Sequence, residues 1–180
     1  MRLALVVQRY GAEIRGGAEL HCRLIAEHLS ERHQVTVVTT CARDYLTWAN
    51  AYPAGIHDIS GVPVWRFPVR KARDTERFGR LQERIFHRKH SESEAMAWLQ
   101  EQGPYSPMLR DWVATYRDRF DYWISFSYRY WTTFHTMTAA AGKTIPRALR
   151  NRGSNMGRSI VGSGSAVGTR MVFPAAASIV

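Results

Sequence analysis

The sequence predicts an α/β domain: a Rossmann-like parallel sheet flanked by helices, with an irregular C-terminal tail. Three observations carry that expectation. Residues 2–8 (RLALVVQ) form an apolar, branched run of the kind expected for a strand buried on both faces. A Gly-rich turn over residues 9–17 then leads into an amphipathic stretch. A second branched run follows at residues 34–40 (QVTVVTT). A strand, a helix and a buried strand in that order make a βαβ unit, whose crossover is right-handed almost without exception.

The elements follow from local pattern. Ala18, Cys22, Ile25 and Leu29 lie at i, i+4, i+7 and i+11, which puts them on one face of a helix running from Ala18 to about Leu29. Residues 41–61 mix polar, Gly and Pro positions and read as a long, partly irregular connection. Residues 61–69 (GVPVWRFPV) alternate enough for a short strand, and Pro63 and Pro68 favour the sheet edge or a strand end. Residues 73–102 read as charged and helical, with Phe78, Leu81, Ile85 and Phe86 on one stripe and Ala95, Trp98 and Leu99 on another. Gly103-Pro104 ends that stretch, and residues 107–120 begin a helix with Leu109, Trp112, Val113 and Tyr116 inward. Residues 121–127 (DYWISFS) predict a further strand and residues 130–141 a helix; Lys143-Thr144-Ile145 begins another strand.

After that the texture changes. Residues 153–168 contain five Gly and four Ser without helical or strand period. The expected organisation is one domain over residues 1–145 and a low-complexity basic tail over residues 146–180, disordered or translated out of frame. The charge agrees with that division. The chain carries a net charge of +10, yet all fifteen acidic residues lie at or before Asp121, where eighteen basic residues nearly balance them. The last 59 residues hold seven basic residues and no acid, so the basicity belongs to the C-terminal third. No apolar run approaches the ~18 residues of a membrane span, and no cleavage site follows the short apolar run at residues 3–7. A cytoplasmic protein is expected, with peripheral contact at a membrane surface left open. Cys22 and Cys41 show no CxxC or zinc spacing and read as buried free thiols.

The strongest local signal for chemistry is the turn at Gly16-Gly17. Glycines let a backbone approach a ligand closely and reach positive φ. The unpaired N–H groups and dipole of a following helix favour a phosphate, and open α/β sheets bind ligands at the carboxyl ends of their strands. The other reading is a tight turn with no ligand. Gly11 and Gly16 have the glycine spacing of a P-loop, but Gly17-Ala18 stands where Lys-Ser or Lys-Thr is required. Gly142-Lys143-Thr144 has the motif's ending, with Met137 in place of its first glycine. The G-x-G-x-x-G spacing is also absent, which disfavours an NTPase or a dehydrogenase. His87 and His90, near Glu92 and Glu94, read as a solvated helix face and not as metal ligands. No Ser/His/Asp arrangement stands out. The aromatics of residues 122–131 suit either core packing or stacking on a ring, and Arg129, just past a strand end, suits an anionic substrate.

Residues 9–40 as a whole resemble the N-terminal domain of the family-4 glycosyltransferases of the GT-B fold. The resemblance rests on the apolar first strand, the loop ending Gly16-Gly17-Ala18-Glu19, the helix after it and the run His33-Gln34-Val35-Thr36-Val37-Val38-Thr39. Residues 121–135 (DYWISFSYRYWTTFH) look like the later strand and helix of the same domain, so the likeness covers residues 2–145. It implies transfer of a sugar from a nucleotide-sugar co-substrate to a glycan or lipid-linked acceptor, with retention of configuration, no required metal and no other cofactor.

By the same resemblance this domain holds the acceptor, Gly16 and Gly17 approach the donor diphosphate, and Arg15, Tyr128 and Arg129 form the cleft wall. Two departures stand out. Many members carry a histidine just after the strand at 121–127, where this chain has Ser127-Tyr128-Arg129, so no catalytic residue is assigned and His135 is a distant candidate. The family's second, donor-binding domain has no counterpart here, so the chain is expected to be an N-terminal half, truncated or frameshifted after about residue 145 and inactive alone. The alternative is a non-catalytic Rossmann-like binding module whose basic tail meets an anionic partner; no specific nucleic-acid partner is expected.

Overall fold

The computed structural model describes residues 1–142, and of residues 144–146 the backbone alone. Beyond Pro146 the expected tail lies outside the described residues. The chain forms an α/β domain whose mostly parallel sheet is flanked by helices. Strand β1 is Arg2–Val6, helix α1 Gly17–Ser30 and β2 Gln34–Thr40. A hairpin of β3 (Gly55–Ile59) and β4 (Val62–Phe67) follows, then α2 (Thr75–His87), α3 (Glu92–Gln102) and α4 (Pro107–Tyr116). Strand β5 (Tyr122–Ser125), α5 (Trp131–Ala139) and β6 (Thr144–Pro146) complete the described chain. The strand order is β3-β4-β2-β1-β5-β6, and every pair but β3–β4 is parallel.

β1 is central and buried on both faces, as its unbroken apolar run requires. Leu3, Leu5 and Val7 pack with Cys22 and Ala26 of α1 and with Val35, Val37, Val62 and Val64. Ala4 and Val6 point the other way, into a cluster with Leu109 and Val113 of α4, Trp123 and Ala140. That alternation is the period-2 geometry of a strand, and it places α1 on one face and α4 and α5 on the other. Among the described residues no helix is long and apolar enough to cross a membrane.

Of the two places expected for Pro63 and Pro68, the strand end holds and the sheet edge does not: β4 pairs with β2 on one side and β3 on the other. Its prolines are tolerated because the ladder to β2 begins at Val64 and the strand ends at Phe67, so Pro63 and Pro68 flank the doubly paired stretch. The edge strand is β3, hidden within the supposed irregular connection. Ser60 and Gly61 turn it onto β4 with φ of 55° and 77°, the left-handed pair of a two-residue hairpin turn, and the Asp58 carboxylate accepts the Gly61 N–H at 3.0 Å. The charged helical stretch over residues 73–102 divides into two helices, one for each apolar stripe. Ser91 and Glu94 form a reciprocal capping box that starts α3 afresh, and Arg84 pairs with Glu94 across the break.

Candidate functional site

The chain leaves β1 toward β2 on one side of the sheet and later returns to β5 on the other. The carboxyl ends of β1 and β5 therefore flank the topological switch point, where open α/β sheets form their crevice. One buried side chain ties the two ends together. Gln8, just past β1, donates through Nε2 to the Phe126 carbonyl at 3.1 Å, while its own carbonyl accepts the Thr40 hydroxyl at 2.6 Å.

The turn after β1 is held by three arginines. Arg9 donates through Nε and Nη2 to one Glu19 carboxylate oxygen at 2.9 and 2.7 Å, and through Nη1 to the Arg43 carbonyl at 3.1 Å. Arg66, buried and stacked 4.1 Å over the Tyr52 ring, donates to the Tyr10 carbonyl at 2.9 Å. Arg23 reaches back from α1 to the carbonyls of Ala12 and Gly11. Tyr52 adds a hydrogen bond to Glu13; burial, and then that carboxylate, push its hydroxyl up to about 12.

Within this frame the two glycines have different reasons to be small. Gly16 is the N-cap of α1 in extended conformation, φ −63° and ψ 144°, so no positive φ is needed there. A Cβ on Gly16 would stand 2.8 Å from the Glu19 carboxyl carbon and 3.0 Å from Arg9 Nη2, so glycine makes room for the buried ion pair. A Cβ on Gly17 would meet nothing within 4 Å. No side chain caps α1, whose first backbone bond is from the Leu20 N–H to the Gly16 carbonyl at 2.8 Å. The amides of Gly17, Ala18 and Glu19 thus precede the helix's own hydrogen-bond ladder, as an anion site requires. Arg15, beside them, is exposed.

The turn after β5 is built differently. Ser127 sits at φ 72°, left-handed backbone on a residue with a Cβ, and its carbonyl accepts the Thr133 hydroxyl at 2.9 Å. Tyr128 is 62% exposed. The Arg129 guanidinium lies 5.2 Å from the Tyr128 ring centroid and 5.4 Å from that of Phe86. These residues line a cleft of about 670 Å³, together with residues of α2 and α3. Tyr128 and Arg129 are therefore brought together in it, whereas Arg15, Gly16 and Gly17 lie outside its lining. Tyr45 joins the two regions, its ring 5.6 Å from both the Arg9 and the Arg73 guanidinium carbons.

Arg73 is a cleft residue that the sequence did not single out. It donates to the last carbonyls of α3, Glu101 at 3.1 Å and Gln102 at 2.5 Å, and lies over the rings of Trp48 and Phe78. A cation there complements the negative end of α3, and burial lowers its pKa. Trp48 shares the Gln102 carbonyl through its indole N–H at 2.9 Å. The buried Glu101 carboxylate is held by Lys71 at 2.7 Å and Arg77 at 3.3 Å. No carboxylate or histidine among the described residues lines the cleft. Its ionisable groups are arginines and tyrosines, and Tyr130 is held protonated by burial and by the Tyr45 hydroxyl beside it. Such a lining can stack on a ring and grip an anion.

His135 lies elsewhere. It packs 4.1 Å from the Trp131 ring centroid on α5, and burial followed by the Arg110 charge lowers its pKa to about 4. His87 contacts Glu83 at 3.7 Å, and among the described residues no cluster of histidine, cysteine and carboxylate could hold a metal ion. The sequence signals for Arg73 and Trp48 are weak because their partners lie 28 and 54 residues away. Comparison with known proteins returns no matching family model, curated protein or solved structure.

Proposed function

We propose that this chain is the acceptor-side, N-terminal domain of a GT-B glycosyltransferase acting in the cytoplasm. It would move a sugar from a nucleotide-sugar donor to a glycan or lipid-linked acceptor. A second, donor-binding domain would have to close the cleft for transfer to occur. The observation that carries the reading is the uncapped start of α1 beside the switch point, with open space over Gly17. Backbone N–H groups aimed at a leaving diphosphate would stabilise the charge that develops there. Tyr128 and Arg129 stand in the neighbouring cleft, where an acceptor would lie.

The test is a titration of the labelled chain with uridine and guanosine diphosphates, followed by amide NMR shifts. The expected result is that the amides of Gly17, Ala18 and Glu19 move, and that Gly17→Trp abolishes the movement. A Cβ on Gly17 meets nothing within 4 Å, and an unchanged thermal unfolding of the variant checks that its fold is kept. A Gly17→Trp chain that binds like the wild type sinks the diphosphate site.

One observation favours a different reading. The Glu19 carboxylate sits in the first turn of α1 and offsets the positive end of the helix, even with Arg9 paired to it. A non-catalytic module whose basic segment binds an anionic partner would not need that end to attract phosphate. Binding of this kind weakens steeply with salt and leaves the Gly17 amide unmoved.

A further inference from the structure

We infer that the cleft after β5 is the acceptor site of the reading above and that it selects an anionic saccharide. In that arrangement the sugar ring lies against Tyr128 and its carboxylate or phosphate meets the Arg129 guanidinium. The inference rests on the glycosyltransferase reading for the word acceptor, and on the cleft alone for the chemistry.

Four features of the cleft point the same way. Its volume of about 670 Å³ lies within the ~300–1,000 Å³ of small-molecule sites. Its charged lining among the described residues is Arg73 and Arg129, with no carboxylate to balance them, so it favours negative ligands. The two cations are not equivalent. Arg73 is spent on the carbonyls of Glu101 and Gln102, whereas Arg129 makes no hydrogen bond or ion pair within the described residues and rests only on aromatic faces. A guanidinium stacked in that way is oriented while its N–H fork stays available for a bidentate anion. Last, the cleft lining also carries amides and hydroxyls, Gln82, Gln102 and Thr75 among them, which suit sugar hydroxyls, and the exposed Tyr128 ring offers a flat face to a pyranose.

The experiment uses the full chain and four probes: methyl β-glucuronide, glucose 6-phosphate, the neutral methyl β-glucoside and inorganic phosphate. Binding is followed by NMR shifts of the Tyr128, Arg129 and Trp98 signals. The expected result is that the glucuronide, the sugar phosphate or both bind more tightly than the glucoside and than inorganic phosphate. The two anionic sugars separate a carboxylate-bearing from a phosphate-bearing acceptor. Arg129→Gln should weaken the preferred anionic probe roughly tenfold or more and leave the glucoside unaffected. Tyr128→Ala should weaken the preferred anionic sugar but not inorganic phosphate. Both side chains are exposed, so unchanged thermal unfolding of the variants confirms that the fold is intact.

Equal binding of neutral and anionic sugars overturns the proposal, as does an Arg129→Gln chain that binds the anionic probes normally. Inorganic phosphate binding as tightly as the sugar phosphate removes the saccharide half, and no binding by any probe removes the whole. The diphosphate titration at Gly17 reads a different place. If it fails while the anionic sugars bind here, the donor reading falls and the cleft chemistry stands. If it succeeds while the sugars do not bind, the reverse holds.

Discussion

The turns after β1 and after β5 leave neighbouring strands at the same end of the sheet, yet they are built in opposite ways. The β1 turn contains the glycines but needs no positive φ at Gly16, and the three arginines that hold it, Arg9, Arg66 and Arg23, are committed to partners within the fold. The β5 turn has no glycine, carries left-handed backbone on Ser127, and displays an arginine with no anionic partner among the described residues. Charge that is satisfied internally holds a loop in place, and charge left unsatisfied at a cleft is available to a ligand. The difference separates a framework turn, useful through its backbone amides, from a recognition turn, useful through its side chains.

The sharpest way to break that contrast is to remove one charge from each side. Glu19→Ala leaves Arg9 nearly buried without its carboxylate and should cost about 3 kcal/mol in urea unfolding. Arg129→Ala should stay within about 0.5 kcal/mol of the wild type. Similar losses for both would mean that Arg129 is structural after all. A smaller effect tests the backbone. Ser127→Gly relieves the left-handed strain at the expense of chain entropy, so a gain of about 0.5 kcal/mol is expected. A loss instead would show that the serine side chain is part of the turn's construction.

A separate test is a pH dependence on α5, the helix that the β5 turn feeds. Burial, and then Arg110, hold His135 at about 4 in the folded chain, below the ordinary 6.5. Between those values the unfolded chain binds a proton that the folded one refuses. This contribution to stability is therefore full above pH 6.5 and declines as the pH falls toward 4. His135→Gln should flatten the fall in urea midpoint across that window, and an unchanged slope would remove His135 as its source.

What was legible in the sequence was local. The branched runs gave β1 and β2, the i, i+4, i+7 spacing gave α1, and Gly103-Pro104 marked the end of α3. The signals that were present but unread were local too: Ser60-Gly61 announces the β3–β4 hairpin, and Ser91 with Glu94 announces a new helix. The Gly16-Gly17 turn was placed correctly at the start of α1, but the reason for Gly16 was missed, because it depends on how Glu19 folds back onto Arg9. Arg73 and Trp48 were beyond reach for a different reason. Their roles come from carbonyls at the end of α3, a contact that no periodicity in a single sequence encodes.

The β3–β4 hairpin has a consequence for solubility. Had the sheet stopped at β4, that strand would offer an open row of backbone donors and acceptors to any passing chain. β3 takes those bonds from Gly55 to Ile59 and puts a different border in their place. That border is five residues long, begins with a glycine and carries Asp58 next to the turn. A short, charged margin of this kind discourages another molecule from extending the sheet, so on this flank the hairpin guards against self-association.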